Sequence, residues 1–581
     1  MADLQGKRID STYVYVLNSD PNTAIVTNGD GSSVDWDGNK IVLKTGDQEI
    51  SGIKNFDSLP KYQGLDLVYK NNAISELGEG SLQKAVNSDG SVILAGNINN
   101  LDGKYSVILA GTGQGLTGDF SAIAVGIQNS ILGGKSFIGA GKKNEISGYN
   151  SFIGAGTGNL LTGLNLSIGA GEGNKISGVS SSMSAGKDNI ISGNYSSVSA
   201  GQSNSIHGNE SSIGAGYSNE INSDYGGIVA GTNNTINAST SAIVAGTNNI
   251  VNAPQSAIIG GESNEVSGIR SAILGGKNNE IVIGDQSSLL GGKDNKISGS
   301  FSSLVGGSGN SLFSDNAVML GGENNSLETG VNSIIIVGKN NSLKNSDNST
   351  INAGTGNNLA NSTGSSVVAG SANFISGSID SSVVAGSENS ISGSRDSSVV
   401  AGTKNILSGS FDSSISAGVD NEIKSSSKSL IGVGSGNFVS GSESSALIGG
   451  SGNKIEGSTT SIIGAGAGNF IKDSTGSSLV GGRDNTITGV ESSLVGGVSN
   501  AISGNRSVLV GGSGNKVFGD EIVLIGGKGN TASGQFVNLF AGENNNVTGV
   551  ASTIVAGREN DISNSDDSSI GAGQLNAIIN S

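Results

Sequence analysis

From Ser91 onward a glycine returns every 15 or 16 residues: Gly96, Gly111, Gly126 and so on to Gly573. It occurs 32 times, and of its intervals 19 are 15 residues and 12 are 16, so no larger insertion interrupts the repeat. Each repeat reads S-x-Φ-x-[AG]-G-x-x-N-x-Φ-x-G-x-x, with Φ aliphatic, as Gly201 to Gly216 shows. Three residues before this corner Gly stands Ile, Leu, Val or Met in every repeat, Met183 and Met319 being the Met cases. Five residues after it stands Leu, Ile or Val, with Ala532 the single exception. Three after it is Asn in 31 of 32 repeats, and Gln114 keeps the carboxamide in the other.

A period this short cannot hold a helical hairpin and is too long for one strand, so each repeat is expected to be one coil of a solenoid. Both S-x-Φ-x-[AG] and N-x-Φ-x-G alternate with period two, which is the strand signature. The expected fold is therefore all-β, a parallel β-solenoid (β-roll) of about 32 coils, with two short strands per coil. At the usual strand spacing such a stack forms a rod on the order of 150 Å long.

Each motif position has a physical task. The corner Gly admits a tight turn at positive φ, and Gly148, Gly163 and Gly178 do the same at a second corner. An inward Asn can donate and accept, so equivalent Asn side chains can bond along the stack and to turn backbone that would otherwise be buried unpaired. Asn129, Asn144, Asn159, Asn174, Asn189, Asn204, Asn219 and Asn234 are expected to form such a ladder. The alternative for a row of Asn is a strip that binds sugar or an ion. Two aliphatic groups per coil make a thin core, which points to apolar area buried elsewhere. Two residues before the corner Gly, on the opposite strand face, stand Val229, Val244, Ile259, Leu274, Leu290, Val305, Leu320, Val368, Val384 and Val400, interspersed with Gly and Ser. This stripe predicts an interface between parallel solenoids; the alternative is a sheet covered on both sides by the same chain.

The coil S-x-Φ-x-A-G…N-x-Φ-x-G resembles the head repeats of trimeric autotransporter adhesins over residues 91–581. That resemblance implies a left-handed β-roll assembled as a homotrimer. Those heads usually have slightly shorter repeats, carry Ala or Ser in place of this Asn, and lead into a coiled-coil stalk and membrane barrel that are missing here. A second resemblance lies in K-T-G-D-Q-E-I-S-G-I-K-N-F at 44–56, which is similar to a T-G-[DN]-Q-x-I-S-G-x-K-x-F motif of phage tail fibres; M-A-D-L-Q-G-K-R-I-D-S-T-Y is similar to the opening of some of those fibres. An ordinary Gly-containing hairpin is the alternative for the first motif.

Residues 1–90 differ in composition, holding Trp36, Tyr13, Tyr15, Phe56, Tyr62 and Tyr69. The expected organisation is an attachment module at 1–43, with strands and Asn-Gly or Asp-Gly turns over 23–43, a neck and cap at 44–90, and a shaft at 91–581. Residues 71–90 suit either a helical turn or an irregular first coil. With 97 Gly and 3 Pro, the chain would suggest disorder were it not for the strict period. There is no Cys, hence no disulfide framework. A net charge of −17 argues against nucleic acid, which needs a basic face, and favours solubility of a long rod. The N-terminus lacks a signal-peptide h-region and the chain has no apolar run long enough to cross a membrane as a helix. The expectation is synthesis in a host cytoplasm, no membrane insertion, and assembly into a virion appendage.

Chemistry is sparse. His207 is the only His, which argues against His-based catalysis and His-rich metal sites. Glu145, Asp188, Glu220, Glu262, Asp294, Glu388 and Asp484 alternate with Lys142, Lys187, Lys277 and Lys293 as solvated corner charges. A glycosidase needs a cleft with paired carboxylates, and small coils offer none, so no enzyme activity and no cofactor are expected. Ca²⁺-binding nonapeptides differ in period and Asp position, and an ice-binding solenoid would show a flat Thr row. The expected function is a structural fibre, a phage tail fibre or appendage shaft. Its N-terminal 90 residues dock on a baseplate, tail or capsid protein, and host contact is expected either from a separate tip protein at the C-terminal end or from the solenoid flank itself. The alternative is an adhesin touching host-surface glycans through its flank, with Phe137, Phe152, Tyr149, Tyr195 and Tyr217 as its aromatic signal. From Gly322 to Gly482 every interval is 16 residues, which predicts one longer outer loop per coil there.

Overall fold

The computed structural model describes residues 90–581 in full and, within residues 1–89, the backbone of eight short strands. The motif over residues 45–56 and the opening of the chain lie outside the described residues. Tyr15–Asp20, Thr23–Thr27, Ser33–Asp37 and Lys40–Lys44 pair in that order as an antiparallel meander. Two compact units, Met1–Gly260 and Gly261–Ser581, divide the chain. Each holds a stack of coils of a parallel β-solenoid, about 33 in all, and every element among the described residues is a strand.

In the first unit, Ala73–Leu77 pairs in parallel with Ser91–Ile93, and Lys84–Ala85 with Asn100–Leu101, so an irregular coil precedes the first regular one. The coil at Gly126 is typical. Its first strand, Ala122–Ile123, lies between Val107–Ile108 and Phe137–Ile138, and its second, Ser130–Ile131, between Gly115–Leu116 and Glu145–Ile146. Identical register at every step places like residues in columns, because neighbouring coils present the same pleat. Ile123 and Ile131 point inward at 0 % exposure.

Backbone sterics explain the invariant Gly. Gly126 has φ 140°, and a Cβ there would stand 2.1 Å from the Gly141 carbonyl oxygen and 2.3 Å from Asn129 Nδ2. Two non-glycine residues of the same coil, Phe120 at φ 54° and Gln128 at φ 56°, also turn left-handed. That conformation costs roughly 1–2 kcal/mol per residue. It persists because each of these N–H groups donates backwards, Phe120 to Lys104 O and Gln128 to Thr112 O at 2.8 Å, whereas strand N–H groups donate forwards. Every corner is thus tied to the coil beneath it.

The second unit contains the 16-residue coils. At Gly402 the strands are Ser398–Val399 and Ile406–Ser408, and Phe411 adds a bridge to Arg395 and to Ser427. The added residue lies in an outer turn, ahead of the place the sequence suggests: Ser408 and exposed Gly409 separate inward Leu407 from inward Ser410, where the shorter coil has His207 alone between Ile206 and Gly208. Ser410 turns inward at 0 % exposure; its N–H donates to Ser394 Oγ at 3.2 Å and its Oγ to Ser408 O at 2.9 Å. The interior position that the shorter coil fills with Gly is here filled by a hydroxyl that bonds along the stack, so it leaves no unpaired polar group.

Candidate interaction surfaces

Inside the coils the Asn column is fully engaged. Asn144 Nδ2 donates to Ala140 O at 3.2 Å, to Gly156 O at 2.9 Å and to Asn129 Oδ1 at 3.1 Å, and the Asn144 N–H reaches the same Oδ1 at 3.0 Å. Asn159, Asn174, Asn189, Asn204, Asn219 and Asn234 continue the chain, each with its N–H on the Oδ1 of the Asn before it. All are buried, so the column presents no strip to solvent.

A second ladder, of serines, carried no assigned role in the sequence reading. Ser121 N–H donates to Ser106 Oγ at 3.1 Å, while its own Oγ bonds Asp119 O and Gly133 O at 3.1 and 3.3 Å. The signal was the Ser that opens the repeat motif; only its buried position separates it from the many loop serines.

Gln114 tests the geometry. Its Oε1 accepts the Asn129 N–H at 2.9 Å, but its Nε2 is one of two buried side-chain polar atoms without a partner among the described residues. The extra methylene carries the amide past the carbonyls that Asn reaches. Gln114→Asn is expected to stabilise its coil by about 1 kcal/mol, read as slower amide exchange at Thr112 and Gly115; unchanged or faster exchange would refute this account.

From Val229 onward the outer face of the first strand carries exposed aliphatic groups on most coils, whereas the coils at Gly186 and Gly201 present only Ser there. Val229 is 61 % exposed, Ile259 and Leu274 46 %, and Leu290 43 %. Val244, Val305, Leu320, Val368, Val384 and Val400 are exposed as well. No described segment of the chain lies over them. Bulk is shared between the two outward positions of this strand: Phe137, Phe152, Leu430 and Ile462 each precede a Gly at the stripe position, whereas Val244 follows Ala242 and Val368 follows Ser366. Within the chain, the Phe137 ring lies over Gly139, with Cε1 3.4 Å from where a Cβ would stand.

Other outward positions carry charged pairs. Lys187–Glu172 at 3.2 Å, Lys277–Glu262 at 2.8 Å and Lys339–Glu323 at 3.0 Å join successive coils, and being exposed they add little stability. His207 lies at the surface, with Nδ1 2.9 Å from Ser192 Oγ. Glu210, beside Tyr225, holds that phenol above its ordinary range. Among the described residues no group of three or more His, Asp or Glu is placed to hold a metal ion. No family model matches the chain, and no curated protein does.

Proposed function

We propose that this chain is the shaft of a multi-chain fibre on a virion, a phage tail fibre or similar appendage, with residues 1–90 docking on a baseplate, tail or capsid protein. The observation that carries this reading is the aliphatic stripe, exposed on successive coils at Val229, Val244 and Ile259 in the first unit and at Leu274, Leu290, Val305 and Leu320 in the second. A soluble monomer rarely shows so long a contiguous apolar row. Copies in parallel register would bury it, and the tail-fibre-like motif at 44–56 supports the virion setting. The column register repeats without a break in either unit, so each supplies stiffness by mutually supporting coils.

Light scattering on the intact chain is expected to return the mass of three copies, the number the adhesin-head resemblance implies. Leu290→Lys combined with Val305→Lys is expected to lower that mass to one chain at micromolar concentration with coil amide protection retained. A wild-type monomer would overturn the multi-chain shaft. A second reading, direct contact with host glycans, is favoured by the exposed aromatic pairs Tyr105–Phe120 and Phe137–Phe152, stacked at 5.2 and 5.7 Å.

A further inference from the structure

The outer face of the second strand in the 16-residue coils carries a row with a different period. Strand pairing sets Phe374, Ser390, Ile406, Glu422, Phe438, Lys454 and Phe470 side by side in that order, one per coil. The large apolar groups therefore recur on every second coil, about 10 Å apart at normal strand spacing. Phe374 is 37 % and Ile406 40 % exposed; Phe438 and Phe470 are half-buried, so each presents part of a side chain outward on a fixed strand. Backbone geometry does not force this alternation, because Phe137 and Phe152 stack on adjacent coils of the other strand. Between the apolar groups stand hydrogen-bonding ones, Ser390, Glu422 and Lys454.

We infer that this face binds a linear, extended, β-linked polysaccharide, with each apolar platform under every second sugar. In such a chain the ring turns over at each linkage, so like faces recur with a two-sugar repeat that matches a two-coil spacing. A pyranose ring offers an apolar C–H face to an aromatic platform and hydroxyls at its rim. That is the mixture this row presents: Phe374, Ile406, Phe438 and Phe470 as platforms, and a carboxylate acceptor and an ammonium donor between them. A second copy of the chain is the poorer occupant, because zipping two such rows together would desolvate Glu422 and Lys454. Each platform contributes weakly, and affinity accumulates along the row as successive platforms engage one ligand. The site lies on the second-strand face, away from the aliphatic stripe, so it does not depend on the fibre reading.

The test is calorimetric titration of the full chain with soluble β-1,4-linked glucose and N-acetylglucosamine oligosaccharides, from disaccharide to hexasaccharide, with α-1,4-linked glucose oligosaccharides as the curved control. Affinity for the β-linked series is expected to rise by about tenfold or more from disaccharide to hexasaccharide as further platforms are reached. Phe438→Ser combined with Phe470→Ser is expected to remove that gain with the thermal transition unchanged; Glu422→Gln is the milder variant, which keeps the platforms and weakens binding several-fold. No binding at millimolar sugar, equal binding of the α-linked series, or a double variant that still binds fully would each overturn the proposal. So would a variant that alters the mass of the particle rather than its sugar affinity, since the face would then belong to a second copy.

Discussion

Gly504→Ala is expected to abolish amide protection in its own coil and the next, whereas Gly393→Ala lowers local stability by only about 1 kcal/mol. Both glycines stand seven residues after the corner Gly of their coils, one in a 15-residue and the other in a 16-residue coil. A Cβ on Gly504 would lie 1.6 Å from the Gly519 carbonyl oxygen and 2.4 Å from its carbon. Both are backbone atoms, so no rotamer change relieves the overlap and the coils must part. That same oxygen accepts Ser507 Oγ at 3.0 Å, and Ser507 Oγ in turn accepts the Ile522 N–H at 3.0 Å, so the serine ladder opens with it. The combined loss is about 5 kcal/mol, in the range reserved for backbone overlap and broken buried networks. Around Gly393 nothing lies within 4 Å of a Cβ, and the cost is that of φ 56° alone. Asn361 at φ 52° and Ser425 at φ 48° already occupy the equivalent position. Hydrogen exchange followed by peptide mapping separates the two cases, because coils unfold locally in a nearest-neighbour stack. Equal loss in both variants would refute the steric account.

The second large effect is expected at Asn405. Its Nδ2 donates to Asn389 Oδ1 at 3.0 Å and to Ala401 O and Gly418 O at 3.1 Å, and its Oδ1 accepts the Asn421 N–H at 3.2 Å. Asn405→Leu keeps the volume and strands the Ala401 carbonyl and the Asn421 N–H, each costing about 1–3 kcal/mol when buried unpaired, while Gly418 O keeps the Thr403 N–H. Asn405→Asp adds a charge: a buried carboxylate there would face the oxygens of Asn389, Ala401 and Gly418. Burial and those acceptors raise its folded pKa above the unfolded value of about 4. Stability of this variant is therefore retained below the unfolded pKa and lost as pH rises through the folded one. Amide protection of this coil at pH 4 and pH 7 checks the sign. Equal protection at both would show that the column tolerates a charge and would remove its structural role.

These two predictions rest on features of unequal visibility. The corner Gly, the paired aliphatics and the Asn stood out because each returns at one place in the period, and a column of 32 equivalent positions shows its constraint within a single chain. Ser121 and its equivalents were in the motif too, but Ser is also the ordinary loop residue, so its inward direction was hidden. The role of the second-corner Gly was hidden more deeply. Gly504 and Gly393 share the same motif position, and only the path of the next coil shows that one is required for space and the other for dihedral freedom.

What the sequence by itself determined is the period, and through it the parallel coil stack, the two inward aliphatics and the Asn beside each corner. It could do so because in-register stacking makes every coil repeat the same chemical requirement. The tertiary structure alone decided on which side of the inward Ser410 the sixteenth residue falls and which outward columns stay open. A one-residue change of path moves a side chain from one face to the other, so the inward turn of Ser410, the open stripe at Val229 and the alternate-coil row of Phe374, Ile406, Phe438 and Phe470 follow from where neighbouring coils lie, which composition and spacing do not specify.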